Sequence, residues 1–109
     1  MSPLLYVAQR CTAVILAVAV AVHLGTILYA VRGGLTAGEI LGRTQGNLAF
    51  LVFYGIFVIA AAIHAPIGLR SILREWTRWR GRSLDGAMLG VAVILAILGL
   101  RAALAVYVA

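Results

Sequence analysis

Three long stretches of this sequence contain almost no charged residues, and they constrain the fold more than any other feature. They run from Cys11 to Val31, from Leu48 to Leu69, and from about Gly86 to Ala109, where Arg101 is the only charge. The 21 residues of the first stretch would form a helix about 31 Å long, close to the hydrocarbon thickness of a bilayer. Because lipid cannot satisfy backbone polar groups, each stretch is expected to be a helix. We therefore predict an all-α membrane protein with three transmembrane helices.

The composition supports this prediction. Of the 109 residues, 64% are hydrophobic and 11% are charged, whereas a soluble domain is about half apolar and about a quarter charged. These values exclude a disordered chain and a water-soluble domain. The net charge of +6 comes from nine arginines and no lysine, but the arginines lie between apolar stretches, so no nucleic-acid partner is expected. The single cysteine, Cys11, cannot form an internal disulfide.

The chain is expected to form one domain, residues 1–109. The distribution of its arginines predicts how that domain is oriented in the membrane. The connection 70–85 contains five arginines, whereas the connection after the first stretch contains Arg32 and Arg43. By the positive-inside rule, the N-terminus and the connection 70–85 are expected in the cytoplasm and the C-terminus outside. The expected location is the inner (cytoplasmic) membrane, as a multi-pass protein in contact with lipid. The predicted spans are about residues 8–31, 47–70 and 86–108.

The first connection is expected to be locally ordered. Gly33 and Gly34 should end the first helix, since glycine favours helix C-termini. Thr36 and Glu39 have the spacing of a capping box, in which each side chain bonds the other residue's backbone. We therefore predict a short surface helix from about residue 37 to 43.

His64 is the only histidine in the second stretch, which contains no charged residue. It lies six residues before Arg70, which places it in the half of the membrane nearer the arginines, about 9 Å from that residue. Neutral imidazole is a good ligand for haem iron, but a histidine that hydrogen-bonds a neighbouring helix accounts for the position equally well. At 100° per residue, one stripe of the helix contains aromatic, small and polar residues: Phe53, Phe57, Ala60, His64, Gly68, Ser71 and Glu75.

Two motifs resemble those of a known family. Residues 64–76, HAPIGLRSILREW, resemble the second-helix motif of the membrane-anchor (cytochrome b556) subunits of succinate dehydrogenase and fumarate reductase. In that family a haem-ligating histidine is followed by glycine at +4, often by arginine at +6, and by an acid at +11. Residues 9–13, QRCTA, are similar to the family's His-Arg-x-Ser-Gly motif. The resemblance covers about residues 5 to 80.

The resemblance implies a haem b site and a quinone site. His64 would be an axial ligand of the haem iron, with Gly68 leaving room for the macrocycle and Arg10 near the propionates. Arg10 would also line a ubiquinone or menaquinone site with Glu75, Trp76 and Tyr6, where Trp76 offers its indole N–H to a quinone oxygen. Two residues depart from the family pattern, since tyrosine is usual at Trp76 and serine at Tyr6. The sequence is equally consistent with an interfacial arginine at residue 10. It is also consistent with an ion pair of Glu75 with Arg74, Arg78 or Arg70 on a solvated helix end.

His23 lies in the opposite half of the membrane. It is about 20 Å from Arg10 along the first helix, and about 10 Å from His64 in depth. The two histidines are therefore not expected to share one haem within a chain, so a second anchor subunit or a second copy would supply the other ligand to the inner haem. By resemblance to two-haem members of the family, His23 would bind a second haem whose propionates Arg101 neutralises. A hydrogen bond to a neighbouring helix is the alternative role of His23.

The function that the resemblance implies is that of a haem-b membrane anchor in a succinate:quinone oxidoreductase. The chain would pass electrons from an iron–sulfur subunit to membrane quinone, and a flavoprotein subunit would carry out the succinate chemistry. The alternatives are a haem-free structural anchor or assembly subunit of a respiratory complex, and an unrelated three-helix accessory protein.

Overall fold

The computed structural model describes residues 2–109, and most of them are helical. The three long helices are all long and apolar enough to cross a membrane. No β-strand occurs among residues 2–109, so the predicted class, all-α with three membrane spans, is confirmed. The helices are α1 (Pro3–Gly33), α2 (Ala37–Thr44), α3 (Leu48–Trp76) and α4 (Arg82–Val108).

The long helices extend beyond the predicted spans. They contain 31, 29 and 27 residues, whereas about 20 residues cross the hydrocarbon layer. The largest difference is at the end of α3, which continues to Trp76, so only residues 77–81 of the predicted connection 70–85 are non-helical. Hydropathy marks where a helix leaves lipid. It does not mark where the helix ends, because an arginine-rich segment can remain helical in water.

Both glycine and side-chain caps define the helix ends. The Ser2 hydroxyl accepts a hydrogen bond from the backbone N–H of Leu5 at 3.2 Å, and the Asn47 side chain accepts one from Phe50 at 3.0 Å. The expected break after Gly33 is confirmed, since Gly34 follows α1 at a φ of 113° and donates its N–H to the Ala30 carbonyl at 2.9 Å. Only glycine adopts such a φ readily.

The short helix α2 begins with the predicted capping box. The Thr36 hydroxyl accepts from the Glu39 N–H at 3.2 Å, and the Glu39 carboxylate accepts from the Thr36 hydroxyl at 2.7 Å and N–H at 3.4 Å. These bonds lower the pKa of Glu39, because they stabilise the charged carboxylate. The observed helix, Ala37–Thr44, agrees with the prediction of residues 37 to 43.

The C-terminal end of α2 is tied to two of the long helices. Arg43 donates to the Gly34 carbonyl at 2.8 Å, next to the end of α1. The buried Thr44 hydroxyl donates to the Val106 carbonyl of α4 at 3.0 Å. The segment therefore holds the ends of α1 and α4 in a fixed relation, although these two helices scarcely contact each other along their lengths.

Helix α3 lies between the other two spans. It packs against α1 on one side and α4 on the other. Near the arginine-rich end, Arg70 of α3 forms an ion pair with Asp85 of α4 at 2.7 Å. Towards the opposite end Gly99 faces Val58, where a Cβ would lie only 2.5 Å from a Val58 methyl carbon. α3 therefore presents one face to α1 and another to α4, and the first of these contains both histidine contacts.

Candidate functional site

His64 contacts α1 through a buried threonine. Its Nδ1 lies 3.2 Å from the Thr12 hydroxyl oxygen, and Thr12 is only 6% exposed. The same hydroxyl lies 2.8 Å from the Ala8 carbonyl and 3.1 Å from the Gln9 carbonyl. A hydroxyl has one proton to donate, and the nearby carbonyl oxygens can only accept it. We therefore assign the Thr12 oxygen as the acceptor of the His64 Nδ1–H.

This hydrogen bond determines which ring nitrogen of His64 is free. With the proton on Nδ1, neutral imidazole keeps an unprotonated lone pair on Nε2. No hydrogen bond from residues 2–109 engages Nε2, so the nitrogen is available to a ligand outside the chain. Metal-ligating histidines commonly donate their other ring N–H in this way, because the bond fixes the ring and its tautomer.

Gln9 lies beside Gly68, one helical turn after His64. A Cβ at residue 68 would lie 3.3 Å from the Gln9 Nε2, so the glycine allows the Gln9 amide to approach α3 closely. The Gln9 Oε1 is buried and has no hydrogen-bond partner among the residues that the structure describes. An unsatisfied buried acceptor is costly, and it would be stabilised by a donor from a bound group. The His64 imidazole, engaged at Nδ1 and open at Nε2, fits an axial ligand of a haem b. The Gln9 Oε1 calls instead for a hydrogen-bond donor, which the ionised propionates of a haem do not supply.

The four predicted quinone-site residues form two separate pairs. Arg10 donates from Nε to the Tyr6 hydroxyl at 3.2 Å and lies over its ring, 5.5 Å from the centroid. Glu75 and Trp76 end α3, and Trp76 is 83% exposed. No hydrogen bond or ion pair within residues 2–109 joins the α1 pair to the α3 pair.

Glu75 lines a polar cavity of about 340 Å³ at the arginine-rich end of α3. Glu75 forms no ion pair within 4.0 Å among the described residues, and Arg70 pairs instead with Asp85. The expected alternative of a Glu75–Arg70 pair is therefore wrong, because the start of α4 presents a closer carboxylate. The cavity is lined by Arg70, Ser71, Arg74, Glu75 and Arg80.

His23 belongs to a second hydrogen-bonded group, here called the His23 cluster and defined as His23, Thr26 and Tyr54. Thr26 donates its hydroxyl proton to the His23 carbonyl at 2.7 Å. The Tyr54 hydroxyl lies 3.1 Å from the Thr26 hydroxyl and 2.9 Å from the His23 Nδ1, and we assign it as the donor to Thr26 and the acceptor from the His23 Nδ1–H. The ring also meets Phe57 edge-on, with centroids 5.4 Å apart. The cluster joins α1 to α3 and leaves the His23 Nε2 unbonded by the described residues.

The two histidines lie at different levels of the α1–α3 interface. Thr12, the partner of His64, and His23 are 11 residues apart on α1, which corresponds to about 16 Å along a helix. Tyr54, the partner of His23, precedes His64 by ten residues on α3, or about 15 Å. The histidines of one chain therefore do not reach a common iron.

A larger cavity of about 430 Å³ opens beside the His23 cluster, beneath α2. Arg43 and Asn47 supply polar groups there, and Phe50 and Leu35 supply apolar ones. Arg101 is not among the residues that line this cavity. It is exposed on α4 and has no hydrogen bond or ion pair within residues 2–109. The structure thus does not bring Arg101 to His23.

The sequence-based search missed Thr12, Gln9, Thr26 and Tyr54. Each is a polar residue within or beside an apolar stretch, and polar groups in a membrane span need partners. Thr12 and Gln9 were also part of the QRCTA motif. These residues could have been found from the sequence, because hydroxyl and amide side chains in an apolar stretch need hydrogen-bond partners just as titratable groups do.

Comparison with known proteins agrees with this architecture. Residues 3–100 match the family of succinate dehydrogenase/fumarate reductase transmembrane subunits. No curated protein and no solved structure matches the chain. The matched range includes all of α1, α2 and α3 and most of α4, so it extends beyond the two motifs that carried the resemblance. This chain belongs to the succinate dehydrogenase/fumarate reductase transmembrane subunit family.

Proposed function

We propose that the chain is a haem-b membrane anchor of a succinate:quinone oxidoreductase, with His64 as an axial ligand. The observation that supports this most strongly is the Thr12–His64 hydrogen bond of 3.2 Å, which leaves Nε2 unprotonated. Haem b, when bound, would supply a one-electron carrier between the iron–sulfur centres and quinone.

The other groups of the site have supporting roles in this proposal. Arg10 would lie near the haem propionates. Arg10, Tyr6, Glu75 and Trp76 would bind ubiquinone or menaquinone where the chain meets its partners, since Tyr6 and Trp76 are both exposed. Since His23 is at another level, the second ligand of the inner iron would come from a second anchor subunit or a second copy.

The partners would dock at the arginine-rich end. Arg74, Arg78, Arg80 and Arg82 follow or flank the end of α3, and the exposed Trp76 lies among them. An iron–sulfur subunit, with its flavoprotein, would meet this end from the cytoplasm. The same charge distribution supports insertion in the inner membrane with the C-terminus outside.

For His23 we propose a role in packing α1 against α3, supported by the hydroxyl and aromatic contacts of its cluster. A second haem is the competing role, and it would use the free Nε2 nitrogen. Arg101 gives no support to a second haem at His23, because it is exposed on α4 and does not line the cavity beside the His23 cluster.

The test is a reduced-minus-oxidised visible spectrum of the detergent-purified complex, with His64→Ala and His23→Ala as matched variants. We expect a b-type signal that is lost in His64→Ala and retained in His23→Ala. Partial loss in each variant would assign a second haem to His23. If the unmutated complex contains flavoprotein but gives no haem signal, the chain is a haem-free anchor. Co-purification of the flavoprotein with each variant controls for loss of assembly.

A further inference from the structure

We propose that Thr12 is a positioning residue that holds the proton of His64 on Nδ1 and thereby lowers the reduction potential of the bound haem. The inference rests on the proposed haem function of His64. It concerns a residue of α1 that would not touch the haem itself and would act only through the imidazole.

The direction of the hydrogen bond follows from the number of protons available. The Thr12 hydroxyl lies 2.8 Å from the Ala8 carbonyl, one turn earlier on the same helix, and a carbonyl can only accept. We assign its single proton to that carbonyl, and in this assignment the Thr12 oxygen meets the His64 Nδ1, 3.2 Å away, as an acceptor. Ala8 and Thr12 together therefore select the tautomer in which Nε2 is unprotonated.

Burial makes this selection effective. Thr12 is one of the few buried polar residues, with an exposed fraction of 6%, so water cannot replace it as the partner of Nδ1. A threonine in a membrane helix can donate its hydroxyl proton to a backbone carbonyl of its own helix, and this explains the contact with Ala8. It does not explain why the same oxygen lies against the imidazole of His64 on another helix.

The hydrogen bond should affect the redox equilibrium of the iron. An acceptor on Nδ1–H increases the basicity of the ligating imidazole. A more basic ligand stabilises the ferric state over the ferrous state, because the ferric ion has the greater positive charge. Removal of the acceptor should therefore favour the ferrous state and raise the midpoint potential.

The experiment compares three substitutions in the purified complex by potentiometric titration of the haem spectrum. Thr12→Val keeps the shape of the side chain and removes the acceptor, whereas Thr12→Ser keeps the hydroxyl. Thr26→Val makes the same change on the same helix, but beside His23. At a fixed potential we expect Thr12→Val to increase the ferrous-to-ferric ratio about fivefold, equivalent to about 40 mV for one electron. Thr12→Ser and Thr26→Val should match the unmutated complex.

Several outcomes would overturn the proposal. An unchanged midpoint potential in Thr12→Val at full haem content would show that Thr12 does not act on the iron. An equal shift in Thr26→Val or Thr12→Ser would indicate a general packing effect. If Thr12→Val does not assemble, Thr12→Ala, which removes the same oxygen in a smaller side chain, is titrated instead against the same expectation. An unmutated complex without haem refutes the function itself, whereas a haem-containing complex that is insensitive to Thr12 refutes only this inference.

Discussion

Each histidine of the chain forms a hydrogen bond across the interface between α1 and α3, and the two histidines lie on opposite sides of that interface. His64 of α3 bonds a hydroxyl of α1, and His23 of α1 bonds a hydroxyl of α3. In each case the hydroxyl is part of a short series of bonds that ends on a carbonyl of α1. Such interhelical bonds contribute modestly in membrane proteins, about 0.6 kcal/mol on average. Their greater effect is to fix the rotation of α1 relative to α3 and the orientation of both imidazoles.

At the residue scale, the Tyr54→Phe variant tests this contribution. The change removes the hydroxyl that accepts from His23 and donates to Thr26, but retains the aromatic ring. We expect a loss of about 0.6–1.7 kcal/mol in the free energy of unfolding, measured by denaturation of the detergent-solubilised protein. Tyr29→Phe is the matched control, because the exposed Tyr29 makes only a ring contact, with Arg43. Equal stability of the two variants would contradict the prediction.

At the element scale, the capping box makes the start of α2 sensitive to acid. The Thr36 hydroxyl and N–H lower the pKa of Glu39 below its ordinary value. The contribution of the charged carboxylate is therefore complete above the ordinary pKa and disappears as the pH falls through the lowered value. Thr36→Val removes the hydroxyl and should move the Glu39 pKa back towards its ordinary value. An NMR titration of the Glu39 side-chain carboxyl carbon measures this, and an unchanged pKa in the variant would refute the assignment.

The contact between α3 and α4 depends on the absence of a side chain at residue 99. A Cβ there would lie 2.5 and 2.8 Å from the two Val58 methyl carbons, so Gly99→Ala should force the helices apart. Overpacking of this kind costs about 1–3 kcal/mol, to be measured as a lower free energy of unfolding. Gly90→Ala on the same helix is the control, since a Cβ there has nothing within 4 Å. A Gly99→Ala variant as stable as Gly90→Ala would mean that α3 and α4 are less closely packed.

The elements differ in how far the sequence predicts them. Three spans follow from hydropathy, and α2 follows from the Thr36 and Glu39 spacing, because both signals are local. The histidine partners Thr12 and Tyr54 could not be identified in this way, since they depend on how α1 and α3 are rotated against each other. The ion pair of Arg70 with Asp85 was missed for the same reason. Hydropathy identifies apolar segments but does not determine which faces of two helices meet.

At the scale of the whole molecule, α3 packs against both of the other spans, and the arginines are concentrated near one end of the helices. Five arginines lie between residues 70 and 82, whereas only Arg32 and Arg43 lie in the connection between the first two spans. The asymmetry of positive charge across the membrane sets the orientation of small membrane proteins. We therefore predict that the connection between α1 and α3 faces outward and that the connection between α3 and α4 faces the cytoplasm.

Cysteine labelling in intact cells tests this orientation directly. Cys11 is the only cysteine, so Cys11→Ser provides a background free of thiols. Gln45→Cys and Ser83→Cys are introduced one at a time. They place an exposed thiol before α3 and after it, respectively, and neither change alters an arginine. A membrane-impermeant maleimide should label Gln45→Cys in intact cells, but Ser83→Cys only after the membrane is opened. The reverse pattern would invert the topology and move the arginine-rich end, with the proposed docking surface for the iron–sulfur subunit, to the outside. Labelling of both thiols in intact cells would contradict a membrane-spanning α3, because a single crossing by that helix separates the two labelled positions.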